Sequence, residues 1–323
     1  MGDKVTLLLT TTGQVAGAVS PDVAKSNAVG VAEVKGTTAT IKLLDGILTL
    51  EGKTTYSEAA AAKLNGCLVT VSSYKRDYLT LSKVNGKGAS TALNLTTNRM
   101  GTKELSAGAR FFEQVSNGRL VEIDRSDITI TSIPANKITY VGYDWAGRVD
   151  KLVLNDVTGD CYDYGMIYYR AAGYEESKDD GSEGSYQNGE IRVTNGSHTD
   201  GVSYVVGSVD GAKTNRMGGV AGSLDQLDGK NRMAAFMPLN EATGIRRAQF
   251  DTDAMLLTTN SMVIPISDKV ECYNKTTGDW FKPGEDGDHK AALNLALAFS
   301  DDITVYYDRS PEEGGKVRIV VVE

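Results

Sequence analysis

The chain has few of the residues that build metal centres or disulfide frameworks. Its 323 residues include two histidines and three cysteines. The cysteines, Cys67, Cys161 and Cys272, are far apart and form no Cys-x-x-Cys pair. A structural zinc site needs closely spaced Cys or His ligands, and a disulfide framework needs an even number of cysteines. We therefore expect neither kind of site and interpret the thiols as buried or unreactive.

Basic clusters and long apolar runs are also missing. The net charge is −8, and the sequence has no Lys/Arg cluster of the kind that binds nucleic acid. It has no run of 18 apolar residues, so we expect no transmembrane helix and no membrane insertion. The start, MGDKVTLLL, has too short an apolar run for a signal peptide. We interpret it as the start of a segment cut from a longer protein.

The residues that are abundant favour β-structure. The chain contains 35 glycines and 15 tyrosines but only six prolines, and Val and Thr occur throughout. β-branched and aromatic residues favour strands, and glycine favours the turns between them. The composition therefore predicts a β-rich chain with many turns.

One β-hairpin pattern occurs three times. Each copy has a β-branched strand, a polar bend, a Gly-polar-Val triplet and a second apolar strand. The copies span residues 4–19, 137–154 and 303–322. The triplets begin at Gly13, Gly147 and Gly315. A glycine there suits a positive φ or a bulge that sets the hairpin register. Asp144 and Asp308 open two of the bends, where an Asp side chain can hold a turn, and Thr10 takes that place in the first copy.

A second, shorter hairpin pattern precedes two of these copies, at residues 109–123 and 269–282. Matching elements in a fixed order indicate a repeat. We therefore predict a mainly β protein of two tandem, related modules, each a small β-barrel or β-sandwich, with one or two short helices. The predicted modules are 21–160 and 161–323. Residues 1–20 are predicted to be the closing hairpin of a preceding module or an N-terminal strand pair.

Two stretches are predicted to be helical. Residues 56–66 start at a Ser cap and end with Asn-Gly. Residues 289–299 have the spacing of an amphipathic helix, whose predicted apolar face is Ala292, Leu295, Ala296 and Phe299. We expect both helices to plug or cover barrel-like sheets. The acidic residues 175–189 are expected to form an exposed, mobile loop.

The hairpin sequences resemble a known class of surface module. The segments YVGYDWAGRVDKLVLNDVTGD, YNKTTGDWF, DDITVYYDR and GGKVRIVVVE resemble the repetitive β modules beside S-layer homology domains. Such modules occur in cell-surface proteins of Gram-positive, clostridial-type gut bacteria. The resemblance covers most of residues 4–20, 109–160 and 269–323. It implies an extracellular structural or adhesive segment at the bacterial surface, whose partners are neighbouring modules of the same larger protein. The wall-binding helices of that family are not found in this sequence, so the resemblance assigns no residue to wall anchoring.

Candidates for catalysis and metal binding are few. Ser197, His198 and Asp200 lie in one polar turn, too close in sequence for triad geometry, and the sequence has no Gly-x-Ser-x-Gly motif. Asp286 and Asp288 are weak candidates for binding calcium, the only cofactor that the sequence suggests, and Asp288 is equally suited to cap the helix that follows it. We do not expect an enzyme.

The tyrosines are the main candidates for a binding surface. Tyr162, Tyr164 and Tyr168 share one face of a predicted strand, and Tyr174 follows. If exposed, such a strip would stack on sugar rings or contact a protein; if half-buried, it would pack a barrel with its hydroxyls at the rim. The sequence therefore predicts a non-catalytic structural segment of a bacterial surface-layer or cell-surface protein. The alternative is an adhesin module that binds a glycan or a host protein through the tyrosine strip.

Overall fold

Strands dominate the chain, as the composition predicts. The computed structural model describes residues 6–323, apart from 11, 20–27, 45, 47, 48, 76, 85, 87, 88, 117, 145, 174, 178–182, 186, 187, 207–214 and 228. Within these residues the fold is mainly β, with two closed five-stranded barrels, further curled sheets and two helices, which confirms the predicted class of tandem, related β modules. Contacts divide the chain into two units, residues 1–88 and 89–323.

The first unit holds a hairpin and the first barrel. The hairpin strands are β1 (Thr6–Leu9) and β2 (Val15–Val19). The barrel elements are β3 (Ala28–Lys35), β4 (Thr38–Leu43), β5 (Thr49–Thr54), α1 (Glu58–Ala62), β6 (Leu68–Lys75) and β7 (Tyr78–Lys83). The closed strand order is β3-β4-β5-β7-β6, and the β5–β7 pair is parallel. Alternate side chains such as Ala39, Ile41, Val69 and Leu79 fill the interior.

The second barrel lies in the second unit. Its strands are β15 (Asp163–Arg170), β18 (Glu190–Thr194), β19 (Val202–Val205), β20 (Arg216–Leu227) and β21 (Lys230–Pro238). The closed order β15-β18-β19-β21-β20, with β19 and β21 parallel, repeats the order of the first barrel. An added hairpin, β16 (Glu175–Ser177) and β17 (Glu183–Ser185), follows β15. The acidic stretch predicted to be a loop therefore contains two short paired strands.

Two curled sheets complete the second unit. The first sheet contains β8 (Leu93–Asn94), β9 (Arg99–Met100), β10 (Lys103–Gln114), β11 (Val121–Ile123), β12 (Ser132–Ile133), β13 (Ile138–Tyr143) and β14 (Val149–Asn155). The second sheet contains β22 (Asn240–Ile245), β23 (Phe250–Asp251), β24 (Leu256–Thr258), β25 (Val263–Asn274), β26 (Asp279–Phe281), β27 (Ile303–Tyr307) and β28 (Val317–Val322), and it packs on α2 (His289–Phe299). In each sheet a 12-residue strand, β10 or β25, pairs in parallel with the last strand of the sheet.

The three repeated hairpins are closed by the same pair of hydrogen bonds, although the closing residues are four positions apart in the first two hairpins and eight apart in the third. The backbone N–H of the first bend residue donates to the carbonyl of the residue before the returning strand: Thr10 to Gln14, Asp144 to Arg148 and Asp308 to Lys316. The side chain of the same first residue accepts the return N–H at 3.1, 2.9 and 2.8 Å, respectively. This confirms the predicted role of these side chains. Gly13 and Gly147 have positive φ, as predicted, whereas in the third hairpin the positive φ falls on Gly314 and not on Gly315.

Helix α2 has the predicted bounds but buries a different face. Its buried residues are Ala292, Leu293, Ala296 and Leu297. Leu295 and Phe299, which were predicted to face the sheet, are 60% and 51% exposed. The helix is apolar on more than one side, so spacing alone did not identify the face that packs. Asp288 caps the helix and accepts the N–H of Ala291 at 3.1 Å.

Replacing Asp288 with Ala is expected to lower the free energy of unfolding of residues 89–323 by about 1 kcal/mol, because the first turn of α2 loses its cap. Urea unfolding followed by circular dichroism measures the change. Asp288→Ser keeps an acceptor and serves as the control, with an expected loss below about 0.5 kcal/mol. Equal losses in the two variants would contradict the capping role.

Candidate functional site

The most unusual feature of the second unit is a group of buried charged side chains, which we call the junction network. Its members are Glu113, Asp160, Asp308, Lys316 and Arg318, each at most 5% exposed or with a side chain at most 4% exposed. They meet where the linker from β14 to β15, residues 156–162, passes the β27–β28 hairpin. Buried charges are costly unless they are paired and hydrogen-bonded, so their arrangement decides what this region does.

Arg318 lies at the centre of the junction network. Its Nε donates to Asp308 Oδ2 at 2.9 Å, and its Nη1 donates to Asp160 Oδ1 at 2.6 Å. Nη1 also donates to Ser267 Oγ at 3.1 Å, and Nη2 donates to the carbonyl of Thr158. One planar guanidinium thereby holds the linker, the hairpin and β25 together. Arg suits this role because its donors are fixed in a rigid fork.

Lys316 adds a second buried cation on the same strand face. Its Nζ is 3.1 Å from Asp127 Oδ1 and 3.4 Å from Asp160 Oδ2. Its backbone N–H donates to Asp308 Oδ1, the bond that also closes the hairpin turn. The turn that shapes the hairpin and the charges that dock it therefore share one carboxylate. Burial opposes ionisation of Asp160, but the charges of Arg318 and Lys316 outweigh it and hold the pKa of this carboxyl below its usual value.

Glu113 binds the backbone of the linker. It stands near the end of β10 and is fully buried. Its carboxylate accepts from the backbone N–H groups of Val157, Thr158 and Asp160 and from the hydroxyl of Thr158. Burial raises the pKa of Glu113, and the donated hydrogen bonds oppose that shift. Arg309 extends the contact, donating to the Val157 carbonyl at 2.7 Å and pairing with the Asp156 carboxylate.

The linker fits the junction network without spare room. Gly159 has a φ of +78°, and a Cβ there would lie 2.6 Å from Asp308 Oδ2 and 2.8 Å from Arg318 Nη2. The Tyr164 hydroxyl donates to the Gly159 carbonyl at 2.9 Å, and the Arg318 guanidinium lies 4.8 Å from the centre of the Tyr164 ring. The chain therefore needs a glycine at this position for both its backbone conformation and its contacts.

An apolar cluster lies beside the charges and joins the same three parts of the unit. Val115 of the first sheet, Tyr162 and Met217 of the second barrel region, and Ile319 and Val321 of the second sheet pack together. Such shared packing adds non-directional stabilisation to the directional contacts of the junction network.

The structure places two of the four candidate tyrosines in this interior. Tyr162 is 7% and Tyr164 is 6% exposed, so neither ring offers a face to a sugar or a protein, and the packed alternative applies at these two positions in place of the exposed strip. The physical reason is that this face of β15 packs against Arg318 and the second sheet. Tyr168 is 43% exposed, and Tyr174 lies outside the described residues.

The other candidates do not come together as a reactive site. The Ser197 hydroxyl donates to Glu271 at 3.0 Å, and the backbone N–H of His198 donates to Asn195. Asp288 caps α2, and Asp286 is exposed. Across the described part of the chain, no three His, Cys, Asp or Glu side chains are placed to hold a metal ion. Within the same part, no helix is long and apolar enough to cross a membrane.

A cleft of about 830 Å³ opens beside the junction network, between residues 129–137 and the hairpin bend. Its wall includes Met237 and the hydroxyls of Thr129, Thr131 and Ser132. Three charged groups in the wall, Lys137, Asp156 and Arg309, already bind one another or nearby carbonyls. The wall also includes Glu312 and Glu313, which are exposed at the hairpin bend.

Sequence reasoning missed the junction network. The available signal was the pair of cations in KVRIVVV, a strand that is otherwise apolar. A charge in such a strand indicates a buried partner, but it does not say which one. Comparison with known proteins adds no identification, since no family model, curated protein or solved structure matches the chain.

Replacing Arg318 with Met is expected to destabilise residues 89–323 by about 3–5 kcal/mol, because the buried Asp308 carboxylate loses its guanidinium partner and Asp160 is left with Lys316 at 3.4 Å. Urea unfolding measures the loss. Arg232→Met is the matched control: Arg232 pairs with Asp225 at the surface, with 48% and 59% of the two side chains exposed. The control is expected to lose less than about 1 kcal/mol. A loss for Arg318→Met no larger than that of the control would show that the network contributes little.

Gly159→Ala tests the fit of the linker. We expect the free energy of unfolding to fall by about 3 kcal/mol. The positive φ strains an alanine, and the added methyl group also displaces the ion pair of Asp308 and Arg318. Gly173→Ala separates the two effects: Gly173 has a φ of +83° with no atom within 4 Å of a built Cβ. It is expected to lose only about 1 kcal/mol. The midpoint of thermal unfolding compares the variants, and equal shifts would mean that the contacts at Gly159 are unimportant.

Proposed function

We propose that the chain is a non-catalytic structural segment of a bacterial surface-layer or cell-surface protein, placed outside the cell, with neighbouring modules of the same larger protein as its main partners. The observation that carries the proposal is the junction network, in which five buried charged side chains join successive parts of the unit. Those side chains are paired with one another and with the backbone of the linker. Their chemistry suits holding parts together better than binding or turnover.

A structural segment needs joints that resist bending. Separating the hairpin from the linker would take Asp160 and the Thr158 carbonyl away from Arg318, which would keep only its partners outside the linker, such as Asp308. Breaking a buried ion pair in this way costs far more than breaking one at the surface. Salt screens buried pairs much less than exposed ones, so the joint would hold over a range of ionic strength.

The repeated design of the chain supports the same role. Two barrels share one strand order, and one pair of closing hydrogen bonds recurs in three hairpins. Repeats of this kind build long proteins from small, separately cored units. The resemblance of residues 109–160 and 269–323 to modules beside S-layer homology domains is the reason for placing the segment at a bacterial surface.

The adhesin alternative loses its proposed contact surface. It required an exposed aromatic strip, and Tyr162 and Tyr164 are buried. Tyr168 alone gives a small exposed ring, whereas flat sugar-binding surfaces use several. We therefore do not propose a glycan or host-protein site at this strand.

Mechanical unfolding tests the proposal. The full chain, tagged at both ends, is stretched in an optical trap. We expect residues 89–323 to unfold in one step that releases on the order of 800 Å, at about 3.5 Å per residue. Arg318→Met should split this step into smaller ones, and Arg232→Met should leave it whole. Separate steps for the barrel and the sheets in the unmodified chain would contradict a rigid joint and the structural role that rests on it.

A further inference from the structure

The bend of the third repeated hairpin is longer than its closing hydrogen bonds require. Its closing residues, Asp308 and Lys316, are eight positions apart, whereas those of the other two hairpins are four apart. The same pair of hydrogen bonds closes all three bends, so the additional residues are not needed to form the turn. The additional length contains a short 3₁₀ turn, Pro311–Glu313, which forms part of the wall of the cleft beside the junction network.

The longer bend is held in place by the rest of the unit. Arg309 ties it to the linker through hydrogen bonds to a carbonyl and a carboxylate. Gly314 ends the 3₁₀ turn with a φ of +81°, and a Cβ there would lie 3.1 Å from Ile130 of the facing segment. Pro311 begins the turn, and its ring fixes its own φ. A wall that is already in place loses little conformational entropy when a ligand binds.

The two glutamates of the bend are charged groups of the cleft that have no cation beside them. Of the cations in the wall, Arg309 pairs with Asp156, and Lys137 donates to the Asp156 carbonyl at 3.0 Å. Glu312 and Glu313 are exposed, and neither forms an ion pair with any residue that the structure describes. Glu313 accepts one hydroxyl from within the bend, at 3.4 Å. Both carboxylates are therefore available to a cation that enters the cleft.

The rest of the wall suits the stem of a basic side chain. Lysine and arginine bury their methylene stems on apolar surface while the charged head binds elsewhere. Apolar surface in the cleft comes from four residues: Ile130, Pro134, Pro311 and Met237. The hydroxyls of the facing segment add hydrogen-bond acceptors. The volume of about 830 Å³ lies within the usual range for ligand sites.

We propose that the cleft binds a lysine or arginine side chain of a partner protein. Glu312 and Glu313 bind its charged head, and the apolar part of the wall contacts its stem. Complementary charge selects a basic segment over an acidic one. The net charge of −8 on the whole chain favours the same choice. The site is separate from the junction network and does not rest on the structural role proposed above.

Methyl NMR of the full chain tests the site. Ile130 and Met237 line the cleft, so their ¹³C-methyl signals report its occupation. The probes are capped tripeptides of two alanines around a central lysine, arginine, glutamate or norleucine, which keeps the lysine stem without its charge. We expect the two basic peptides to shift these signals with millimolar dissociation constants. The glutamate and norleucine peptides are expected to bind at least about fivefold more weakly.

The carboxylates are tested by Glu312→Gln/Glu313→Gln, which should weaken binding of the lysine peptide about tenfold. The matched control is Glu285→Gln/Asp286→Asn, which removes two adjacent, exposed carboxylates from another 3₁₀ turn and changes the net charge by the same amount. It should retain binding.

Three results would overturn the proposal: no shift with either basic peptide, equal affinity for the norleucine peptide, or equal weakening in the two double variants. None of these variants changes the junction network, so a negative result here leaves the mechanical test of the joint unaffected.

Discussion

The buried guanidinium of Arg318 is the group on which residues 89–323 depend most. It lies on β28, whose other side chains are apolar, and it is 1% exposed. A cation is stable in such a place only when anions and carbonyls surround it, so Arg318 fixes the positions of Asp160, Asp308 and Thr158 together. These partners come from the linker after the first sheet and from the hairpin of the second. Either part alone would leave a buried charge unpaired. The network therefore favours a structure in which the two sheets and the barrel between them form together or not at all.

The buried carboxyls of residues 89–323 respond to protons in opposite directions. The pKa of Asp160 is held down by permanent cations, so its contribution to stability is present above the unfolded value of about 3.9 and is lost as the pH falls through the folded pKa. The pKa of Glu271 is raised, and its contribution declines as the pH rises. The difference arises from the neighbours: Arg318 and Lys316 together outweigh burial at Asp160, whereas burial outweighs the other influences on Glu271 and on Glu113 of the junction network.

Sequence reasoning succeeded where structure is local and failed where it depends on distant partners. The turn at Asp144 and the bounds of the helix at 289–299 follow from residues within a few positions of each other. The buried face of that helix does not, because both of its sides are apolar and the sheet that packs on it selects one, leaving Phe299 exposed. Periodicity likewise placed Tyr164 on a face of β15 but could not show that this face is covered. Arg318 binds Asp160, which lies 158 positions away in the sequence, and no spacing rule applies at that separation.

The equivalent hairpins close with the same hydrogen bonds but make different contacts with the rest of the chain. Strand register places Asp150 of β14 where β28 has Arg318, while Asp144 and Asp308 accept equivalent closing hydrogen bonds in bends of different length. Asp150 pairs with its neighbour Lys151 at 2.7 Å, whereas Arg318 reaches across to the linker of the preceding sheet. The turn needs only a backbone and one acceptor, so it tolerates either charge at that position. The charge then decides what can dock on the hairpin, because a buried surface that carries a cation excludes any neighbour that cannot supply an anion. In a chain of similar modules, such differences would let each joint accept its own neighbour and reject the others.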